Sequence, residues 1–196
     1  MLNKGKNNIF IISGPSGAGE DSIINGLKKY LNIERVITTT DRKMRKDESP
    51  GNPYYFISKK EFEDGIKNNL FFEYAKEYND NFYGVTRKEI ERVKNCAKIG
   101  IWKIEYKGVI TAKKFMPKIV AIFINAPSLK VLEKRIRKRG KISEKSIKER
   151  IQYTKEWLKH SDIYDYSVVN YEGKLNQAIN DVKKIILSVI ARSDGL

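Results

Sequence analysis

Gly14-Pro15-Ser16-Gly17-Ala18-Gly19 sets three glycines around a serine, directly after an apolar run and directly before residues at helical spacing. A turn of this kind exposes backbone N–H groups that can cradle phosphate oxygens. Its chemistry is completed by a Lys that reaches the β- and γ-phosphates and by a Ser or Thr hydroxyl that holds Mg²⁺. Here Glu20 and Asp21 stand in those two places, so the glycine frame is kept and the charge is reversed. A unit charge pair at 4 Å is worth about 4 kcal/mol at an effective dielectric near 20. Losing it at a transition state slows phosphoryl transfer by about a thousandfold, before repulsion from the new carboxylates is counted. Loop shape and loop chemistry thus point in different directions.

A second set of residues also suits anions. Thr38-Thr39-Thr40-Asp41-Arg42-Lys43-Met44-Arg45, followed by Glu48, Gly51 and Tyr54, places two guanidinium groups three residues apart beside hydroxyls and a phenol. Guanidinium forks match phosphate oxygens. Glu73 lies in the aromatic stretch Phe71-Phe72-Glu73-Tyr74-Ala75, where a carboxylate either accepts from the N–H groups of a base or sits half-exposed on a strand. Lys103 is a lone charge inside the apolar run 99–104. No Cys/His spacing fits a metal site and none is assigned; His160 is the only histidine, which leaves histidine-based triads without material.

These residues need a frame, and hydrophobic spacing supplies one. A strand is expected over 9–12, then the glycine turn, then a helix marked by Ile23, Ile24, Leu27 and Leu31. Residues 35–40 read as one extended piece, 41–53 as a loop and 54–57 as extended again. Ser58 and Glu61 form a possible capping box for a helix that buries Phe62 and Ile66. Strands are expected over 71–75 and 81–85, a helix from Thr86 to Val93, a strand over 99–104 and a helix over 108–116. The run 119–124 is a strand buried on both faces. Two further helices carry Leu129, Leu132 and Ile136, then Ile147 and Ile151; a strand over 166–170 and a helix over 176–191 follow. Helices alternating with apolar strands predict a three-layer α/β domain around a parallel sheet.

At 196 residues and 40% apolar content, one core and a single domain are expected. Lys and Arg total 39 against 24 Asp and Glu, a net charge of +15, so partners are sought among polyanions: nucleotides, nucleic acid or an anionic membrane. Much of that excess reads as solvated surface. The single cysteine, Cys96, suits a reducing compartment. Residues 1–8 have charge but no apolar signal core, and no apolar run approaches the roughly 18–20 residues of a membrane span. A soluble cytoplasmic protein without a membrane partner is the expectation.

In order along the chain, GPSGAG, the T-x-T-x-R-x-x-R-x-x-E-x-x-G-x-x-Y-x-F run from Thr38 to Phe56, FFEYA around Glu73, FYG at Tyr83, APS from Ala126, RIRKRG from Arg135, Arg150, and VVN ending in Asn170 resemble guanylate kinases across about residues 9–186. The resemblance implies a P-loop NTPase-type three-layer α/β domain with a parallel core sheet, a small mixed GMP-binding lobe and a helical lid. All would lie in one domain over 1–196, with core segments 9–34 and 97–190, the lobe at 35–86 and the lid at 135–150. It implies that Gly14, Ser16, Gly17, Ala18 and Gly19, with Glu20 and Asp21, form the ATP-phosphate loop. Thr38, Arg42, Arg45, Tyr54 and Tyr83 would hold the GMP phosphate, while Glu73 and Glu105 would read guanine, which offers two N–H donors where adenine does not. Arg135, Arg139 and Arg150 would be lid arginines that neutralise the transferring phosphoryl group, and Asn170 would lie near the adenine. ATP would be the co-substrate and Mg²⁺ the cofactor of a catalytic form, with no structural cofactor.

The chain departs from the family pattern mainly on the donor side. Besides Glu20 and Asp21, Lys103 stands where the family has an acidic residue, and Lys107 replaces a Gln. On the acceptor side Asp41 replaces a Thr, and Val85 replaces a Ser or Thr, with Thr86 adjacent as a substitute. Either Glu20 and Lys103 pair, with Lys103 neutralising both carboxylates, or they have drifted independently. The functions in view are an ATP:GMP phosphotransferase of impaired activity, a non-catalytic relative that binds GMP, a phosphorylated ligand or a protein partner, and, on charge alone, an RNA-binding protein.

Overall fold

Residues from Ile9 to Ser13 are buried throughout and form the first strand, β1 (Ile9–Ser13). Phe10 and Ile12 pack into one apolar cluster and Ile9 and Ile11 into another, so this strand is covered on both faces. The computed structural model describes residues 8–76, 80–138 and 143–193. After β1 come α1 (Glu20–Leu27), β2 (Ile33–Arg35), β3 (Thr38–Thr40), β4 (Tyr54–Phe56), α2 (Lys59–Lys67), β5 (Phe71–Lys76), β6 (Phe82–Thr86) and α3 (Arg87–Lys94). The second half adds β7 (Ile99–Trp102), α4 (Tyr106–Phe115), β8 (Val120–Asn125), α5 (Leu129–Lys138), α6 (Glu144–Leu158), β9 (Tyr166–Val169) and α7 (Leu175–Ser193).

The core is a parallel five-stranded sheet in the order β2-β7-β1-β8-β9. On one face it receives Ile23, Ile24 and Leu27 of α1, Leu132 of α5, and Ala178, Ile179, Val182 and Ile186 of α7. On the other it receives Ile90 and Val93 of α3 and Val109 and Ala112 of α4. Each fully buried Ile or Leu contributes roughly 1.5–3 kcal/mol, so these two faces fix the sheet between helices. A mixed four-stranded sheet, β4-β3-β6-β5, stands beside the core. α2 closes it: Ser58 and Glu61 make the expected capping box, and the Phe62 ring stacks between Phe71 and Phe82 at 4.2 and 5.2 Å. Phe62 is fully buried, whereas Ile66 is only half-buried. No helix among the described residues is long and apolar enough to cross a membrane.

Three expectations are corrected. The extended piece at 35–40 is two strands in two sheets: β2 pairs with β7 in the core, and β3 pairs with β4 and β6 in the second sheet. The chain changes sheets between Val36, whose N–H still bonds Ile101 of β7, and Ile37, whose N–H donates instead to the buried Glu89 carboxylate at 2.8 Å. Neither residue is a Gly or Pro, so nothing in the local sequence announces the break. The strand expected over 99–104 stops at Trp102, which leaves Lys103 outside the sheet, and α4 begins at Tyr106, two residues earlier than its apolar spacing suggested.

Candidate functional site

The glycine turn follows β1, the central strand, and therefore opens at the carboxyl edge of the parallel sheet, where ligands of such sheets bind. Gly14 is required there because a Cβ would lie 2.2 Å from the Ile124 carbonyl oxygen of β8. Gly19 caps α1 with φ +98°, a left-handed conformation that suits glycine, and no side chain caps the helix. The side chains of Asn170 and Arg135 brace the loop. Asn170 Nδ2 donates to the Ala18 carbonyl at 2.8 Å, while Arg135 donates to the Asn170 carbonyl at 2.8 Å and to the Gly17 carbonyl at 3.4 Å.

Glu20, the first residue of α1, is buried, and its Oε2 accepts from the Gly19 N–H at 3.0 Å. Asp21, next in the helix, meets two cations. Its Oδ2 lies 2.5 Å from Lys103 Nζ and its Oδ1 lies 3.3 Å from Arg35 Nη2. The ion pair of Lys103 thus falls on Asp21, with Glu20 close enough to act on its charge. Burial pushes the Lys103 ammonium down, but the carboxylates of Glu20 and Asp21 outweigh it and hold the group above its ordinary value. Burial likewise pushes Asp21 up, and Lys103 followed by Arg35 outweighs it, holding this carboxyl below its ordinary value.

Across the cleft, strand register sets Thr38 beside Tyr54 and Thr40 beside Tyr83. The Tyr54 and Tyr83 rings meet edge-on at 5.8 Å, and burial holds the Tyr54 phenol above its ordinary value. Arg42 lies 5.5 Å from the ring centres of both Tyr54 and Phe56 and donates to Glu48 at 2.8 and 3.0 Å, while the Arg45 N–H donates to the same carboxylate. Asp41 accepts from the Phe82 N–H at 2.7 Å, which pins the start of β6. Val85 is fully buried, and the neighbouring Thr86 uses its hydroxyl to cap α3, so no hydroxyl faces the cleft at either position. Glu73 is buried on β5, and Glu105 occupies the N-cap position of α4 without a side-chain cap bond.

α6 lends Arg150, Tyr153 and Trp157 to the cleft. Arg150 donates to Ser16 Oγ at 3.4 Å, and its buried Nε has no hydrogen-bond partner among the described residues. Tyr153 donates its hydroxyl hydrogen to Glu105. Trp157 Nε1 donates to Tyr164 Oη at 2.8 Å; Tyr164 donates to Ser13 Oγ at 2.9 Å, and Ser13 passes its hydrogen to the Ile104 carbonyl at 2.6 Å. Burial pushes the Tyr164 phenol up to about 12. Arg139 lies outside the described residues.

The result is a cleft of about 320 Å³. Gly14, Ser16, Glu20, Asp21, Lys103, Thr38, Tyr54, Glu73, Tyr83 and Glu105 line it, and Arg150 reaches in from α6. Gly17, Ala18, Gly19, Arg42, Arg45, Arg135 and Asn170 are not among the residues that line it. Arg35 and Tyr153 line the cleft as well and escaped the sequence reading. Tyr153 stands three residues after Arg150 on one helix, a spacing that could have found it; Arg35 gave no such signal.

Asp21 takes the place that the resemblance gives to a magnesium-binding hydroxyl, yet its two oxygens already carry Lys103 and Arg35. Among the described residues no three His, Cys, Asp or Glu side chains gather closely enough to hold a metal ion. The residues present do not fit a magnesium ion held by the protein.

A parallel sheet with a glycine loop after its central strand, a second small sheet and helices over the cleft between them define an α/β protein of the P-loop type. The family model described as guanylate kinase matches residues 6–189. A guanylate kinase of Buchnera aphidicola subsp. Schizaphis graminum is 40% identical over 183 residues, covering 92% of this chain and 87% of that protein. One from Rickettsia felis is 38% identical over 189 residues, covering 96% and 97%. The crystal structure of guanylate kinase from Anaplasma phagocytophilum superposes with a TM-score of 0.73 at 27% identity, covering 92% of this chain and 84% of that one. The chain belongs to the guanylate kinase family.

Proposed function

We propose that the protein transfers the γ-phosphoryl group of ATP to GMP, giving ADP and GDP. The observation that carries this reading is the meeting of two carboxylates, Glu73 and Glu105, with the hydroxyls of Thr38, Tyr54 and Tyr83 in the same cleft as the glycine loop. On this reading residues 35–86 form the acceptor lobe, 135–150 the lid, and 9–34 with 97–190 the core. Glu73 and Glu105 accept from the guanine N1–H and amino group, and the three hydroxyls with Arg42 and Arg45 hold the 5′-phosphate. A GMP phosphate oxygen then attacks the γ-phosphorus in line. The new P–O bond forms as the bond from that phosphorus to the β,γ-bridging oxygen breaks, and ADP leaves with the electron pair. Arg150 stands over Ser16 in position to offset charge on the moving group, with Arg135 and Arg139 as the other lid arginines and Asn170 on the adenine side.

A coupled assay for ADP formation with GMP, and with AMP as control, tests the reading. Turnover with GMP and not with AMP supports it; no ADP formation at saturating nucleotide rejects it. A non-catalytic GMP-binding module is the second reading, favoured by the loop's own anions: Glu20 accepts from a loop N–H, and Asp21 carries two cations. GMP binding by calorimetry without turnover selects it.

A further inference from the structure

We propose that Lys103 is the donor-phosphate cation of this protein, delivered from the end of β7 and held in place by Asp21 and Glu20 on α1. This rests on the kinase reading of the same cleft. A P-loop normally carries its cation on the loop's own helix; this helix begins with two carboxylates, and the cation comes from the strand beside it. β7 lies next to β1, and Lys103 is the first residue beyond it, so its ammonium emerges at the same sheet edge as the loop. It lies 2.5 Å from Asp21, in the first turn of α1, and lines the cleft together with Ser16 and Tyr54. The surrounding charges favour its ionised form.

Arg35 makes the arrangement workable. An isolated Lys103–Asp21 pair would have to break, leaving an unpaired carboxylate, before the ammonium could turn to a phosphate. Arg35 holds the other oxygen of Asp21 at 3.3 Å, so Asp21 keeps a cation when Lys103 moves. Two carboxylates and two cations balance at this corner, and a lysine stem is flexible enough to swing between an aspartate and an entering phosphate. The poor fit to a protein-held magnesium ion has the same origin: the amine stands on the carboxylate a metal would need. In the transfer itself Lys103 makes and breaks no covalent bond; its charge offsets that on the donor phosphates while ADP departs with the bridging oxygen.

The test compares Lys103→Met, Lys103→Arg and the double variant Asp21→Asn with Lys103→Met. Loss of the donor cation should lower kcat/KM for ATP by at least a hundredfold in Lys103→Met, leave GMP affinity by calorimetry within about twofold, and be rescued to within about tenfold by arginine. The double variant restores charge balance without restoring a cation. If Lys103 serves only to neutralise Asp21, activity returns in the double variant and the proposal is overturned; if it acts on the donor phosphates, the loss persists. Unchanged ATP kinetics in Lys103→Met also overturn it. Should the wild type show no turnover, the kinase reading fails by itself, and Mg·ATP calorimetry decides: binding by the wild type that is lost in Lys103→Met supports the assignment, and equal or absent binding in both proteins overturns it.

Discussion

Tyr153 of α6 donates its hydroxyl hydrogen to Glu105, the residue at the N-cap position of α4, so one hydrogen bond ties α6 to a carboxylate that lines the cleft. On the proposed reading the same carboxylate must accept from guanine. The two demands compete. Tyr153→Phe is expected to tighten GMP binding several-fold by calorimetry while lowering the melting temperature by about 2–4 °C, the loss of a bond worth roughly 1 kcal/mol in a chain of this size. GMP affinity that does not move would take Glu105 out of guanine recognition.

Glu73 is buried and has a second wall close by: a Cβ on residue 108 would lie 3.1 Å from its Oε2, which Gly108 avoids. Glu73→Gln keeps the shape and replaces an acceptor oxygen by an N–H facing guanine's own donors. We expect kcat/KM for GMP to fall at least a hundredfold with the KM for ATP nearly constant. Steady-state kinetics in both substrates checks this, and parallel losses would indicate damage to the whole cleft.

Arg42 holds the Glu48 carboxyl below the usual carboxylate range. The sign follows directly. A carboxyl with a depressed folded value stabilises the fold above its unfolded value, about 4.3, and that contribution is lost as pH falls through the folded value. Glu48→Gln should therefore melt below the wild type at pH 7, and the gap should close as the pH is lowered below about 4. A gap that is constant from pH 7 to pH 3 would mean the pair adds no linked stability.

Tyr164 gives the opposite limb. Its phenol is pushed up to about 12 by burial, so the folded state favours the neutral form. That contribution is complete below the unfolded value near 10 and fades as pH rises toward the folded one. Tyr164→Phe breaks the relay from Trp157 to Ser13 and is expected to cost about 1–2 kcal/mol at pH 7. It should also remove a late-titrating phenol from an absorbance titration at alkaline pH. A titration curve with that phenol still present would assign the raised value to another tyrosine.

The strands and helices were legible where burial imposes a period. β1 and β8 show as unbroken apolar runs because both faces are covered, and the caps at Ser58 and Thr86 show because a hydroxyl three residues before a carboxylate has few other uses at a helix start. The glycine loop and most cleft residues could likewise be named in advance. Partnership between distant residues was less legible. Spacing tells which face a side chain takes, not which strand will lie beside it, and Lys103 meets Asp21 only because β7 is seated next to β1. The shift from core sheet to second sheet at Val36–Ile37 stayed hidden for a related reason: the pull comes from Glu89 on a helix fifty-two positions away, and Ile37 itself carries no sign of it.

Asp21 is balanced by Arg35 at the end of one strand and Lys103 just beyond another, fourteen and eighty-two positions along the chain. The loop is therefore not a portable cassette. Moved into another P-loop scaffold as residues 14–21 alone, it would arrive with two uncompensated carboxylates at a helix start that must meet an anion; moved with Arg35 and Lys103, it would bring its own counter-charges. The smallest transferable unit here is three strand ends and a helix turn, assembled in space and scattered in sequence.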